Sequence, residues 1–147
     1  MIGLLQRVTE AEVRVSGEAV GAIGPGLLVL VGVEKGDTAA TAERLLERIV
    51  TYRVFSDDSG RMNLDLLEHR GDLLLVPQFT LAAETGKGRR PGFSTAATPE
   101  QGKLLFEQLV AHARHRLGSV ETGVFGANMQ VRLTNDGPVT FWLQAHP

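Results

Sequence analysis

The chain has 147 residues, 43% hydrophobic and 22% charged, with a formal net charge of −2. That size and balance give one domain with a real core, and no apolar run approaches the roughly 18 residues of a membrane helix. The absence of cysteine excludes disulfides, thiolate metal sites and a cysteine nucleophile, and the small negative charge leaves nucleic-acid contact to a local basic patch.

Met1 to Arg7 enters strand-like sequence at once, without the basic, apolar and small-residue pattern of a secretory leader. A cytoplasmic protein is expected. Ile2–Val8 is a candidate strand, Val13 and Val15 alternate with polar neighbours, and Gly17 turns the chain into Glu18–Ile23. Gly24-Pro25-Gly26 is a turn; the lack of a following helix and the donor missing at Pro25 exclude a phosphate loop. Leu27–Val31 is apolar throughout, which predicts a strand buried on both faces.

A first helix is predicted from Asp37 as N-cap, with Ala42, Leu45, Leu46 and Ile49 on its apolar stripe. Tyr52–Phe55 reads as a strand, Ser56–Gly60 as a polar turn and Met62–Leu66 as a short packed element. Asp57, Asp58 and Asp65 do not have the spacing of a calcium loop. Asp72–Val76 is a second buried strand, and Pro77 forces it to end, bulge or lie at an edge. Ala82–Ser94 follows without periodicity and holds the one dense cationic spot, Lys87, Arg89 and Arg90.

The second helix has the clearest start: Thr98 as N-cap, Pro99 at N1 and Gln101 at N3. Leu105, Phe106, Leu109, Val110, Ala113 and Leu117 line its buried side, and Gly118 ends it. His112 and His115 lack a third ligand and read as part of a cationic helix end. Val120–Phe125, Met129–Leu133 and Val139–Leu143 complete the strands. Between the last two, Asn135-Asp136-Gly137-Pro138-Val139-Thr140 is predicted to be a turn longer than a two-residue hairpin needs. The fold class is therefore α+β: one domain over 1–147, antiparallel and barrel-like in its sheets, with two main helices.

Thr80 is the most suggestive hydroxyl, since it sits where a buried strand emerges beside a proline. A Thr nucleophile needs a base within reach, and nothing near it in sequence supplies one. Two readings stay open on the residues alone: a Thr80-dependent esterase, and a Thr80 that only packs or hydrogen-bonds.

Several segments resemble the D-aminoacyl-tRNA deacylase family: Met1–Val8, Gly26–Val33, Arg53–Asp57, Met62–Leu64, Gln78-Phe79-Thr80-Leu81, Arg90-Pro91-Gly92-Phe93-Ser94 and Met129-Gln130-Val131 through Asn135–Trp142. The resemblance implies an editing hydrolase that cleaves the ester between a D-amino acid, or glycine, and the terminal adenosine of tRNA. It implies a homodimer in which Gly137-Pro138, as a cis dipeptide, enters the partner's site and excludes L side chains. Gln78, Phe79 and Thr80 would form the catalytic wall, with Arg7 and Met129 supporting the dipeptide loop. Many members carry Ser where this chain has Pro77, which offers neither hydroxyl nor N–H. That favours a mechanism assisted by the adenosine 2′-hydroxyl, without cofactor or metal, in which backbone N–H groups near Phe79 and Thr80 hold the oxyanion. Lys87, Arg89 and Arg90 are candidates for tRNA phosphates. The competing expectations are an RNA-independent esterase and a non-catalytic RNA-binding dimer.

Overall fold

Strand follows strand through the first third of the chain. The computed structural model describes all 147 residues: β1 (Ile2–Val15), β2 (Glu18–Ile23), β3 (Gly26–Gly32), α1 (Ala39–Thr51), β4 (Phe55–Ser56), β5 (Met62–Leu64), α2 (Leu66–His69), β6 (Asp72–Pro77), a 3₁₀ turn (Phe79–Ala82), α3 (Pro99–Leu117), β7 (Glu121–Thr122) and β8 (Met129–Gln144). The main sheet runs β2-β1-β3-β6-β7, and β8 pairs with the other edge of β1. β1 binds β3 along Ile2–Val8 and β2 along Ala11–Val15, so one strand serves both halves of the barrel-like sheet. The pairings of β1 with β2, β3 and β8 are antiparallel, as expected. Both pairings of β6 are parallel: α1 and α2 carry the chain back between β3 and β6, and α3 does so between β6 and β7.

The period of two in the apolar runs decides where the interior lies. Leu27, Val29 and Val31 of β3, with Leu73 and Leu75 of β6, face the main core under α1 and α3. Their neighbours Leu28, Leu74 and Val76 face a second cluster with Val8, Ala11, Val13 and Ile23. Both strands are therefore buried on both sides. Truncating one such leucine to alanine costs about 2–5 kcal/mol.

Both main helices form where predicted. Thr98 Oγ1 accepts from Gln101 N–H at 3.3 Å, and Gly118 closes α3 with φ +85. The start of α1 needs correction. Thr38, not Asp37, is its N-cap, exchanging hydrogen bonds with Thr41. Asp37 is buried elsewhere: its carboxylate accepts from the Met1 ammonium at 2.8 Å and from Glu34 N–H at 2.7 Å. An acidic residue ahead of a helix satisfies the capping pattern, but a buried ammonium has the stronger claim on it.

Two predicted strands are shorter than expected. Of Tyr52–Phe55 only Phe55 pairs, continuing into Ser56 to form β4 against β5. Of Val120–Phe125 only Glu121 and Thr122 pair; Gly123 N–H still reaches Leu75 O at 2.9 Å, but Val124 N–H turns away to Met129 Sδ at 3.3 Å. The predicted turn at Asn135–Thr140 is not a turn between antiparallel partners. β8 runs through it along the same neighbour, with Val8 opposite Asn135 and Gln6 opposite Thr140. Five steps of β8 thus face two of β1, and the excess is thrown outward as a wide bulge.

Candidate active site

At the end of β6 the backbone changes from ladder to turn. Gln78 N–H donates to Val31 O at 2.7 Å, the last bond that holds this segment to β3. Phe79–Ala82 then coils into the 3₁₀ turn, with Leu81 N–H bonded to Gln78 O at 3.2 Å. The leading N–H groups of such a turn have no carbonyl inside it to donate to. Those are the N–H groups of Phe79 and Thr80. Gly32 lets the turn come this close: a Cβ there would lie 2.9 Å from Leu81 Cβ and 3.2 Å from Gln78 O.

The Gln78 side-chain amide donates to Thr80 Oγ1, so that hydroxyl is already engaged, and no imidazole or carboxylate is bonded to it. A cavity of about 400 Å³ opens beside Gln78 and Phe79. Val31, Val76, Phe106, Phe125 and Met129 line its apolar side, and the first turn of α3, from Thr98 to Gly102, closes one end. The lining residues include no carboxylate, histidine, lysine, arginine or tyrosine. Such a wall binds a flat apolar or aromatic group and supplies no acid or base of its own.

The bulge is a separate, stiff feature. Arg7 donates from Nε to Asp136 O at 2.9 Å and from Nη1 to Val54 O at 2.7 Å, tying the bulge to the segment leading into β4. Asn135 closes its base: Oδ1 accepts from Val139 N–H at 2.6 Å, while Nδ2 reaches Gln6 Oε1, Val139 O and Thr140 Oγ1 at 3.0–3.2 Å. The Gly137–Pro138 peptide bond is cis. Gly137 has φ +148, and a Cβ there would lie 2.9 Å from Val139 N. Both Gly137 and Pro138 are exposed, and neither lines the cavity of its own chain.

The third feature is cationic. Glu84 and Gly92 exchange backbone hydrogen bonds of 2.7 and 2.9 Å, so the residues between them form a closed loop. Lys87, Arg89 and Arg90 are exposed on it, and none of them enters a salt bridge. Glu84, the acid of this loop, turns its carboxylate onto Gly86 N–H at 2.6 Å.

Of the residues named from sequence, the structure groups Gln78, Phe79 and Met129 at the cavity, with Thr80 hydrogen-bonded to Gln78. It groups Arg7, Gly137 and Pro138 at the bulge. Met129 stands at the far end of β8 from its own bulge, opposite Val15. Sequence reasoning gave Phe125 and Phe106 no part in the cavity, and gave Asn135 no role beyond a turn. The Asn–x–Gly–Pro spacing was the available sign for Asn135, since Asn side chains bond nearby backbone in tight turns.

The family model described as D-Tyr-tRNA(Tyr) deacylase matches residues 4–144. A D-aminoacyl-tRNA deacylase from Thioalkalivibrio sulfidiphilus is 62% identical over 147 residues, covering all of this chain and 99% of its own. One from Nitrosococcus oceani is 60% identical, covering all of this chain and 95% of its own. Among solved structures, one named c-Myc DNA Unwinding Element Binding Protein superposes with a TM-score of 0.94 at 37% identity, covering both chains completely. Another, described as a probable eukaryotic D-amino acid tRNA deacylase, reaches 0.83 at 18% identity over 97% of each chain and shares the fold.

Proposed function

We infer that this chain, which belongs to the D-Tyr-tRNA(Tyr) deacylase family, cuts the ester of D-aminoacyl-tRNA with backbone donors and the substrate's own hydroxyl instead of a reactive side chain. The single observation that carries this reading is the cavity wall without a titratable group. The terminal adenosine packs against that wall, which places the ester over the 3₁₀ turn. The free N–H groups of Phe79 and Thr80 receive the oxyanion, a contribution of about 2.7–4 kcal/mol per donor in such sites. Water adds to the carbonyl carbon with help from the adenosine 2′-hydroxyl. The bond to the 3′-oxygen then breaks, and the proton ends on that oxygen. Gln78 and Thr80 position the turn, and no metal or cofactor enters the scheme.

Enantiomer choice comes from Gly137 and Pro138. They sit outside their own cavity, so the reading requires a second copy of the chain to bring its bulge over the site. Two observations favour a homodimer. β8 pairs only with β1 and leaves its other edge open, and Trp142 on it is 54% exposed. In that arrangement the backbone carbonyls of the partner's bulge occupy the space an L side chain needs. A D side chain points away, and glycine passes because it has none. Arg7 holds the bulge from behind, while Met129, at the cavity, faces it across the dimer. Lys87, Arg89 and Arg90 contact tRNA phosphates. The working unit is one domain over 1–147, acting in the cytoplasm.

Hydrolysis of D-tyrosyl-, L-tyrosyl- and glycyl-tRNA by wild type and Thr80→Ala tests the reading. The D- and glycyl esters are cut and the L-ester is spared. Thr80→Ala stays within about tenfold of wild type, because loss of one neutral hydrogen bond is worth about 1 kcal/mol. A substrate ending in 2′-deoxyadenosine is not cut. Full activity on that substrate, together with a dead Thr80→Ala, would establish the Thr80 esterase instead.

A further inference from the structure

Beside the cavity lie two phenylalanines that burial does not explain. Phe79 is 59% exposed and Phe93 is 44% exposed. Their ring centroids are 5.3 Å apart and tilted by 44°. Phe79 lines the cavity and Phe93 does not, so the pair leads outward from it. Large aromatic surface left in water beside a site points to a ligand that covers it.

The surroundings hold Phe93 in place and charge its neighbourhood. It follows directly on the Glu84–Gly92 bridge that closes the basic loop. Its carbonyl accepts from Ala96 N–H at 3.2 Å, and Thr95 Oγ1 donates to Ala82 O at 2.6 Å, which ties this segment to the 3₁₀ turn. Arg89 and Arg90 stand four and three residues before the ring, within the loop that the bridge closes, and neither has an acidic partner. Aromatic rings flanked by free cations form the usual platform for unpaired nucleotides: bases stack on the rings and phosphates meet the charges.

We propose that Phe93, together with Phe79, stacks the unpaired base that precedes the terminal adenosine of the tRNA acceptor end, with its phosphate directed to Arg89 and Arg90. This rests on the reading that the cavity takes the terminal adenosine. Phe93 is then a binding residue for the strand and takes no part in the chemistry. It gives the enzyme a hold on RNA that an isolated aminoacyl-adenosine does not have.

Binding measurements with three ligands separate the possibilities: a fluorescent RNA minihelix with a single-stranded 3′ overhang, the same RNA carrying a non-hydrolysable 3′-D-tyrosylamide, and 3′-D-tyrosylamino-adenosine alone. Phe93→Leu keeps an apolar side chain and removes the ring; Phe93→Trp keeps a ring. Phe93→Leu is expected to weaken both overhang RNAs about tenfold, as loss of one stacked base does, and to leave the adenosine compound unchanged. Phe93→Trp restores the RNA affinity. Equal weakening on all three ligands would make Phe93 a mere prop for Phe79 and overturn the proposal. Unchanged RNA affinity overturns it as well, as does a shift from dimer to monomer in Phe93→Leu, which would mean that a second copy covers the ring. A wild type that ignores the adenosine compound defeats the cavity reading on its own, while the bare overhang still decides Phe93.

Discussion

Arg7 ties the bulge to a distant part of the fold, and removing its guanidinium has a calculable cost. Its side chain is only 13% exposed, and it satisfies two carbonyls from different parts of the fold. The bond to Val54 O is partly buried, and a charged donor there is worth about 1.5–2 kcal/mol. The bond to Asp136 O is exposed and worth about 0.5–1 kcal/mol. Asp136 Oδ2 lies 3.8 Å from Nε on a half-exposed side chain, and such a pair adds little. Arg7→Met should therefore lose about 2–3 kcal/mol, which for a chain of this size lowers Tm by about 5–10 °C. Arg7→Lys recovers only part of this, because a single ammonium cannot serve both carbonyls as the planar fork does. The functional effect should exceed the thermal one. With the bulge untied, the D-to-L hydrolysis ratio should fall by at least about tenfold, equivalent to only 1.4 kcal/mol of lost discrimination. Thermal unfolding and hydrolysis of paired D- and L-tyrosyl-tRNA read the two effects separately. Arg7→Met with Tm within about 1 °C of wild type and an unchanged ratio would refute the reasoning.

Gly137→Ala should damage activity more than stability. The new Cβ meets Val139 N at 2.9 Å, and Asn135 already pins that nitrogen at 2.6 Å. A positive φ adds about 1–3 kcal/mol of strain, so D-ester kcat/KM should drop more than about tenfold while circular dichroism stays native. Charge reversal at Arg89 and Arg90 should raise KM for tRNA, leave kcat unaltered and flatten the log–log salt dependence by about two phosphate contacts; an unchanged slope would remove both residues from the interface. Asp57 is held at about 2, below its ordinary 3.8, by Ser59 Oγ–H first, then Asn63 Nδ2–H and the Arg61 and Ser59 N–H groups. A lowered folded value means its contribution is complete above about pH 4 and disappears as the pH falls through about 2. The difference in urea midpoint between wild type and Asp57→Ala should therefore be constant from neutral pH to about 5 and close below about 4.

Unbroken apolar runs made the core strands legible, since Leu27–Val31 and Asp72–Val76 read as short strands buried on both faces. The capping residues of α3 fixed its start to the residue. What escaped were choices that depend on distant partners. Asp37 satisfies the local pattern for an N-cap, and only the fold shows that the Met1 ammonium takes it. Val120–Phe125 has strand composition, but β6 offers it room for two residues before Met129 draws the backbone off. The Asn135–Thr140 stretch was recognisable as irregular. Whether it turned back or bulged depended on which strand lay opposite, and that information sits in Gln6 and Val8, more than a hundred residues earlier. The cavity was the least visible part, because Val31, Phe106, Phe125 and Met129 are ordinary apolar residues that come together only in three dimensions.

The pairing of β1 with β8 has a consequence for synthesis. Arg7 leaves the ribosome 129 residues ahead of Asp136, and contacts of such span form late. β1, β2, β3 and β6 can assemble on the nascent chain, with the 3₁₀ turn already at its end. The cavity, however, still lacks Met129 and Val131, and the bulge does not yet exist. Both arrive with the same final strand. A chain interrupted before β8 has neither the finished pocket nor the bulge, so the two features form together, in the last step of synthesis.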